Sequence, residues 1–143
     1  MTVKTILDLK GREVVTVAPE RTLAEAAKLL AEHRIGAVVL ADADDVIHGI
    51  LSERDIVRAV AGEGANALDK PISAFMTARV RVCHEYHTVT EVMRLMTEGR
   101  FRHLPVVEGG KLVGIISIGD VVKRRIEEAE REAEEIRTYI ATA

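Results

Sequence analysis

Gly49-Ile50-Leu51-Ser52-Glu53-Arg54-Asp55-Ile56-Val57-Arg58 returns 65 residues later as Gly114-Ile115-Ile116-Ser117-Ile118-Gly119-Asp120-Val121-Val122-Lys123. In each copy a short apolar run hands over to Ser-x-x-Asp, the spacing at which a serine and an acid cap the first turn of a helix. A second matched pair lies upstream. Thr22-Leu23-Ala24-Glu25-Ala26-Ala27-Lys28-Leu29-Leu30 runs parallel to Thr88-Val89-Thr90-Glu91-Val92-Met93-Arg94-Leu95-Met96 at an offset of 66. The drop from 66 to 65 places one extra residue in the first copy, in the loop near Ala41 to Asp45, where a length change is tolerated. The chain is a duplicated unit.

Each copy has one order of elements. A short strand is expected over Glu13 to Val17 and over Val80 to Cys83. A helix follows, opened by a capping box, Thr22 with Glu25 and Thr88 with Glu91. Its apolar residues recur at helical spacing: Leu23, Ala26, Ala27 and Leu30, then Val89, Val92, Met93 and Met96. Two strands come next, Ile35 to Leu40 with Val46 to Leu51, paralleled by His103 to Val107 with Leu112 to Ile116. They turn at Asp42-Ala43-Asp44-Asp45 and at Glu108-Gly109-Gly110. A second helix closes each copy, from Glu53 to about Ala61 and from Gly119 onward. Gly62 to Pro71 is a glycine-containing connector leading into a short helical segment that reaches Met76. The predicted fold class is α/β (α+β): two βαββα repeats packed about a pseudo-two-fold axis, because each sheet would otherwise leave an apolar face open. The expected divisions are residues 1–64, 65–124 and a helical extension over 125–143.

At 143 residues, 48% of them hydrophobic, the chain is expected to fold around one core. Its longest apolar run, Ile35 to Ala41, is far short of the roughly 20 residues that span a bilayer. The first ten residues interleave charge with apolar side chains, unlike a secretory signal. A cytoplasmic, membrane-free protein is expected. Cys83 is the single cysteine, which excludes an intrachain disulfide or a cysteine metal cluster. A net charge of −3 with 3% aromatic residues lacks both the basic footprint and the stacking platform of a nucleic-acid binder.

From Asp120 onward no proline or glycine interrupts the chain, and Val122, Ile126, Ala129, Ala133, Ile136 and Ile140 follow a 4-3-4-3-4 spacing. That is a heptad seam, with two alanines making it weak. A contact between two copies is expected there; a helix lying on its own domain is the plainer alternative.

The duplicated unit, with G-x-x-S-x-x-D ending the last strand of each copy, resembles the CBS (cystathionine beta-synthase) domain pair, or Bateman module. The likeness covers about Glu13 to Arg124 and includes Thr16-Val17-Ala18-Pro19, Arg34-Ile35-Gly36-Ala37-Val38-Val39 and Gly99-Arg100-Phe101-Arg102-His103-Leu104-Pro105-Val106-Val107. It implies binding of AMP, ADP, ATP, NAD(H) or S-adenosylmethionine in the clefts between repeats, and assembly as a homodimer. In related modules basic residues at the positions of Arg54, Arg102 and His103 meet phosphate, with Arg100 beside them. Gly36 and Ala37 match positions whose small side chains let adenine approach, and Thr16 is placed to reach the same ligand.

Asp55 and Asp120 can each accept two hydrogen bonds from the vicinal hydroxyls of a ribose. Ser52 and Ser117 can donate to ribose or phosphate oxygens without adding charge. Phosphate suits the positive helix end and nearby cations. Capping alone would also explain the serine and aspartate, and solvation alone would explain the arginines. The copies differ in cations: Arg102-His103 stands where the first copy has Gly36-Ala37, and Arg54 where the second has Gly119, so the two clefts are expected to be inequivalent.

His84-Glu85-Tyr86-His87 is one residue short of H-E-x-x-H and precedes a helix, so it reads as a polar loop and no metal site is assigned. No catalytic constellation is found. A free-standing nucleotide-sensing regulatory module acting in trans on an unknown regulated protein is the leading function. A dimeric interaction scaffold with vestigial clefts is the alternative, and a metal-dependent hydrolase around His84 and His87 ranks last.

Overall fold

The computed structural model describes residues 1–142; the last residue of the expected 125–143 extension lies outside them. Helix α1 spans Val3–Lys10, strand β1 Thr16–Val17, α2 Leu23–His33, β2 Ala37–Ala41, β3 Ile47–Ser52 and α3 Glu53–Glu63. Two 3-10 turns, Gly64–Asp69 and Ile72–Ala74, form the connector. The second unit contains α4 (Val89–Gly99), β4 (His103–Glu108), β5 (Lys111–Ser117) and α5 (Ile118–Thr142). In the first unit β1 runs parallel to β2, and β2 pairs antiparallel with β3; in the second, β4 pairs antiparallel with β5.

The duplication extends to the backbone. Ala37 faces Ser52 across one hairpin and His103 faces Ser117 across the other, and both hairpins shift register at matching points, Leu40/Ala41 and Val106/Val107. Helices α2 and α4 both end on an arginine in the left-handed region, Arg34 at φ 54° and Arg100 at φ 56°.

Three expectations are corrected. The strand expected over Val80 to Cys83 contracts to a single parallel bridge between Cys83 and Val106. The residues before it leave the sheet to line a cavity. The strand over Glu13 to Val17 contracts likewise to Thr16–Val17, since an edge strand has only one neighbour to hold it. The capping box is reciprocal in α4, but in α2 only Thr22 caps, because the Glu25 carboxylate turns to Arg21 at 3.2 Å.

A further correction concerns the expectation of one core. Two hydrophobic clusters form, and each recruits the segment that precedes the other unit. Val3, Ile6 and Leu7 of α1 pack with Val92, Met96, Leu104 and Ile116 of the second unit. Ile72, Phe75 and Met76 of the connector pack with Leu23, Val38 and Leu51 of the first. Gly49 and Gly114 make room for these crossings: a Cβ on Gly49 would lie 2.6 Å from Met76 Sδ, and one on Gly114 2.7 Å from Leu7 Cδ2. Equivalent carbonyls receive the crossing chains. Arg21 and Pro19 accept from Ile72 and Ser73, and His87 and Glu85 accept from Val3 and Lys4. Burying a residue such as Ile72 contributes about 1.5–3 kcal/mol, so the exchange binds the units firmly.

Strand β2 is buried on both faces. Val38 and Leu40 point into the first core, while Ala37 and Val39 alternate to the opposite face and are equally covered. The second unit covers that face near its end: a Cβ on Gly36 would come within 2.9 Å of His103 Cε1.

Candidate functional site

The Ser52-x-x-Asp55 box fixes the start of α3. Asp55 Oδ2 accepts from the Ser52 backbone N–H at 2.8 Å and from Ser52 Oγ at 3.1 Å, while Ser52 Oγ accepts from the Asp55 N–H at 3.4 Å. Capping therefore consumes the serine hydroxyl and one aspartate oxygen. Ser52 is a positioning residue rather than a free donor. Asp55 Oδ1 keeps its lone pairs, enough to receive both hydroxyls of a vicinal diol.

That carboxylate lines a cavity of about 330 Å³ between the two units, within the range of small-ligand sites. Of the residues singled out from sequence, Gly36, Ala37, Ser52, Arg54, Asp55, Arg100, Arg102 and His103 line it together. They arrive from the start of β2, the first turn of α3, the end of α4 and the start of β4. Thr16, Ser117 and Asp120 do not line it. Thr16 is exposed on β1, in register with Val39.

The walls divide by chemistry. Ala37, Ile50, Val80 and Phe101 offer apolar surface. Opposed to them stand Arg54, Arg58, Arg79, Arg81, Arg100 and Arg102, against only Glu53 and Asp55, a formal surplus of four positive charges before His103 is counted. None of these six arginines has an ion-pair partner among the described residues. Arginine guanidinium groups hold phosphate bidentately, and the N-terminus of α3 adds its own positive end. His103 is held below its ordinary pKa by burial; Lys10 and Arg102 act the same way, and Glu53 and Asp120 oppose it.

Sequence reasoning missed Arg58, Arg79 and Arg81. Two signals were present: Arg54 and Arg58 are one helical turn apart, and Arg79-Val80-Arg81 puts both arginines on one side of an extended segment.

The symmetry-related cleft is built differently. Asp120 repeats the box, its Oδ2 accepting from the Ser117 N–H at 2.8 Å and Ser117 Oγ accepting from the Asp120 N–H at 3.2 Å. Lys10 Nζ then lies 2.7 Å from Asp120 Oδ2 and donates also to the Ile115 carbonyl at 3.0 Å. Burial works to raise the Asp120 pKa, but Lys10 and the Ser117 hydrogen bonds outweigh it and hold the carboxyl below its usual range. The two aspartates differ in that α1 delivers Lys10 to Asp120 Oδ2, while Asp120 Oδ1 has no hydrogen-bond partner among the described residues.

The His84 to His87 loop is occupied structurally. His87 Nδ1 accepts from the His84 N–H at 2.8 Å, and His84 Nδ1 lies 2.6 Å from the Val107 carbonyl oxygen. Cys83 is buried, its thiol pushed up to about 12 by desolvation with Glu108 nearby, so it carries no thiolate at neutral pH. No helix is long and apolar enough to cross a membrane among the described residues.

The CBS domain family model matches residues 6–62 and 72–127. Among solved structures, a CBS-domain containing protein from Agrobacterium tumefaciens is 56% identical, with a TM-score of 0.84 over 87% of this chain and 92% of that one. The CBS domain pair of protein MJ0100, in complex with 5-methylthioadenosine and S-adenosyl-L-methionine, is 28% identical with a TM-score of 0.80, covering 90% and 98%. A CBS domain protein from Pyrobaculum aerophilum complexed with AMP is 32% identical with a TM-score of 0.74, covering 84% and 89%. Against two curated relatives that it matches, the chain spans 66% and 24% of their length. With both repeats matched at an offset of 66 residues, the chain belongs to the CBS domain family and carries the domain twice, as a tandem pair.

Proposed function

We propose that this chain is a regulatory module that senses an adenine nucleotide in the Asp55 cleft, without a catalytic step of its own, and signals to a partner protein in trans. The carrying observation is one cavity that joins an apolar wall, an aspartate whose Oδ1 has no hydrogen-bond partner and six arginines with no ion-pair partner among the described residues. The adenine base lies against Ala37, Ile50 and Val80, the ribose diol on Asp55, and the phosphates among the arginines. AMP and S-adenosylmethionine, ligands of the two relatives above, share the adenosine part. The arginines favour the phosphorylated nucleotides AMP, ADP, ATP and NAD(H) over the cationic sulfonium. The module works as a homodimer in the cytoplasm, where a single buried thiol needs no oxidising compartment. Ligand signalling requires that one arrangement of repeats or chains bind the nucleotide better than another.

Thermal unfolding with AMP, ADP, ATP, NAD, NADH and S-adenosylmethionine tests this reading. A true ligand at a hundredfold excess over its dissociation constant stabilises by about 2.7 kcal/mol. No shift with any of them removes the sensor and leaves the alternative, an interaction scaffold with vestigial clefts. The exposed apolar stripe on α5 favours that second reading. Arg102→Ala should lower AMP affinity about tenfold while leaving adenosine within about twofold, as expected for loss of one charge-assisted contact. Equal losses would contradict the assignment of arginines to phosphate.

A further inference from the structure

Beyond Glu128, α5 leaves its own domain. Glu128 still pairs with the N-terminal ammonium at 3.0 Å, but from Ala129 to Thr142 every residue except Ala133 is exposed. A free helical stretch of this length is marginal in water. It nevertheless carries an apolar stripe, with Val122 40%, Ile126 53%, Ile136 60% and Ile140 69% exposed. Ala129 and Ala133 continue the same stripe.

The charges flanking the stripe determine what covers it. In the heptad with Ile126, Ala133 and Ile140 at a and Val122, Ala129 and Ile136 at d, the g positions are Arg125, Glu132 and Tyr139, and the e positions are Lys123, Glu130 and Arg137. A parallel, in-register pair of helices joins each g residue to the e residue five places on in the other chain. Arg125 then meets Glu130 of the second copy, and Glu132 meets Arg137 of the second copy, opposite charges in every case. An antiparallel pair with the same seam overlap sets Lys123 against Arg137, Glu130 against Glu130 and Glu132 against Glu132, all like charges. Glu130 and Glu132 have no ion-pair partner among the described residues, so both are free for such contacts.

We infer that α5 is the docking surface for α5 of a second copy of this chain, in a parallel two-stranded coiled coil that holds both domain pairs at the same end. This rests on the homodimer proposed above and adds its seam, direction and register; it is independent of nucleotide binding.

Cross-linking of the full chain with Ala129→Cys tests it, because equivalent d residues face each other only in the parallel arrangement. Cys83 is buried with a raised pKa and does not compete for the oxidant. Mild oxidation should convert A129C into disulfide-linked dimers. A129C that stays reduced alone but links to Ala133→Cys chains would overturn the direction while leaving the homodimer intact. A chain that sediments as a monomer at every concentration would remove the homodimer itself. Glu132→Arg should raise the dimer dissociation constant about fivefold, and adding Arg137→Glu should bring it back to within about twofold. No response to E132R, with thermal unfolding of the domain pair unchanged, places the interface elsewhere and overturns the proposal.

Discussion

At the start of α3 the Asp55 carboxylate faces an open cavity walled by six arginines, whereas 65 residues later the Asp120 carboxylate meets Lys10 Nζ at 2.7 Å. The backbones around these two aspartates are near copies, with the same register across the hairpin and the same capping box. Their difference lies in residues outside the shared motif. Arg54, Arg79 and Arg81 at the first cleft correspond to Gly119, Glu13 and Val15 at the second, while Met76, which packs on Gly49, corresponds to Leu7, which packs on Gly114. The Ser-x-x-Asp box therefore specifies a helix start in both units, and whether its carboxylate carries an ion pair depends on the segment that crosses over from the other unit. The connector brings no ion-pair partner to Asp55 among the described residues, whereas α1, three residues beyond the Leu7 that packs on Gly114, brings Lys10 to Asp120.

The largest expected effect comes from comparing the two aspartates. Asp55→Ala should weaken AMP about 10- to 100-fold, the worth of hydrogen bonds to a charged group, while Asp120→Ala leaves AMP affinity unchanged. Titration calorimetry on both variants reads this directly, and equal losses would mean that the second cleft also binds.

Lys10→Met, which removes the ammonium group from the second cleft, should open Asp120 to a second nucleoside per chain and lower stability by about 0.5–1 kcal/mol at neutral pH. The sign of its pH dependence follows from the lowered Asp120 pKa. The ionised pair stabilises the fold above the ordinary carboxyl value of 3.8 and loses that contribution as pH falls through the folded value. Urea unfolding of wild type and variant should therefore converge in acid; a constant gap from neutral pH down to acid would show that the pair does not close the cleft.

The smallest effect separates the two left-handed arginines. Replacing Arg34 or Arg100 by glycine should stabilise each helix end by about 1 kcal/mol, since glycine adopts the left-handed region without steric cost. Only Arg100→Gly should also weaken AMP, because Arg100 lines the cavity and Arg34 does not. Stabilisation by both with no loss of AMP binding would take Arg100 out of the site.

Much of this molecule could be read without coordinates. The repeat, both Ser-x-x-Asp helix starts, the α2 and α4 caps and the inequivalence of the clefts all rest on local patterns: apolar periodicity, capping chemistry and residue substitutions at a fixed offset. Eight of the eleven residues assigned to ligand binding do converge on one cavity. The exceptions are instructive. Asp120 and Ser117 look identical to Asp55 and Ser52 along the chain, and their difference depends on Lys10, which is 110 residues away in sequence.

The same reason separates what sequence determines from what tertiary structure decides. Local order follows from interactions within a few residues, so strands, caps and the α5 stripe are written in the chain itself. The exchange of α1 and the connector between the units is a long-range packing choice, made because each sheet face needs an apolar cover that its own unit lacks. That choice splits the core in two, brings Arg79 and Arg81 beside Asp55, and sends Lys10 to Asp120.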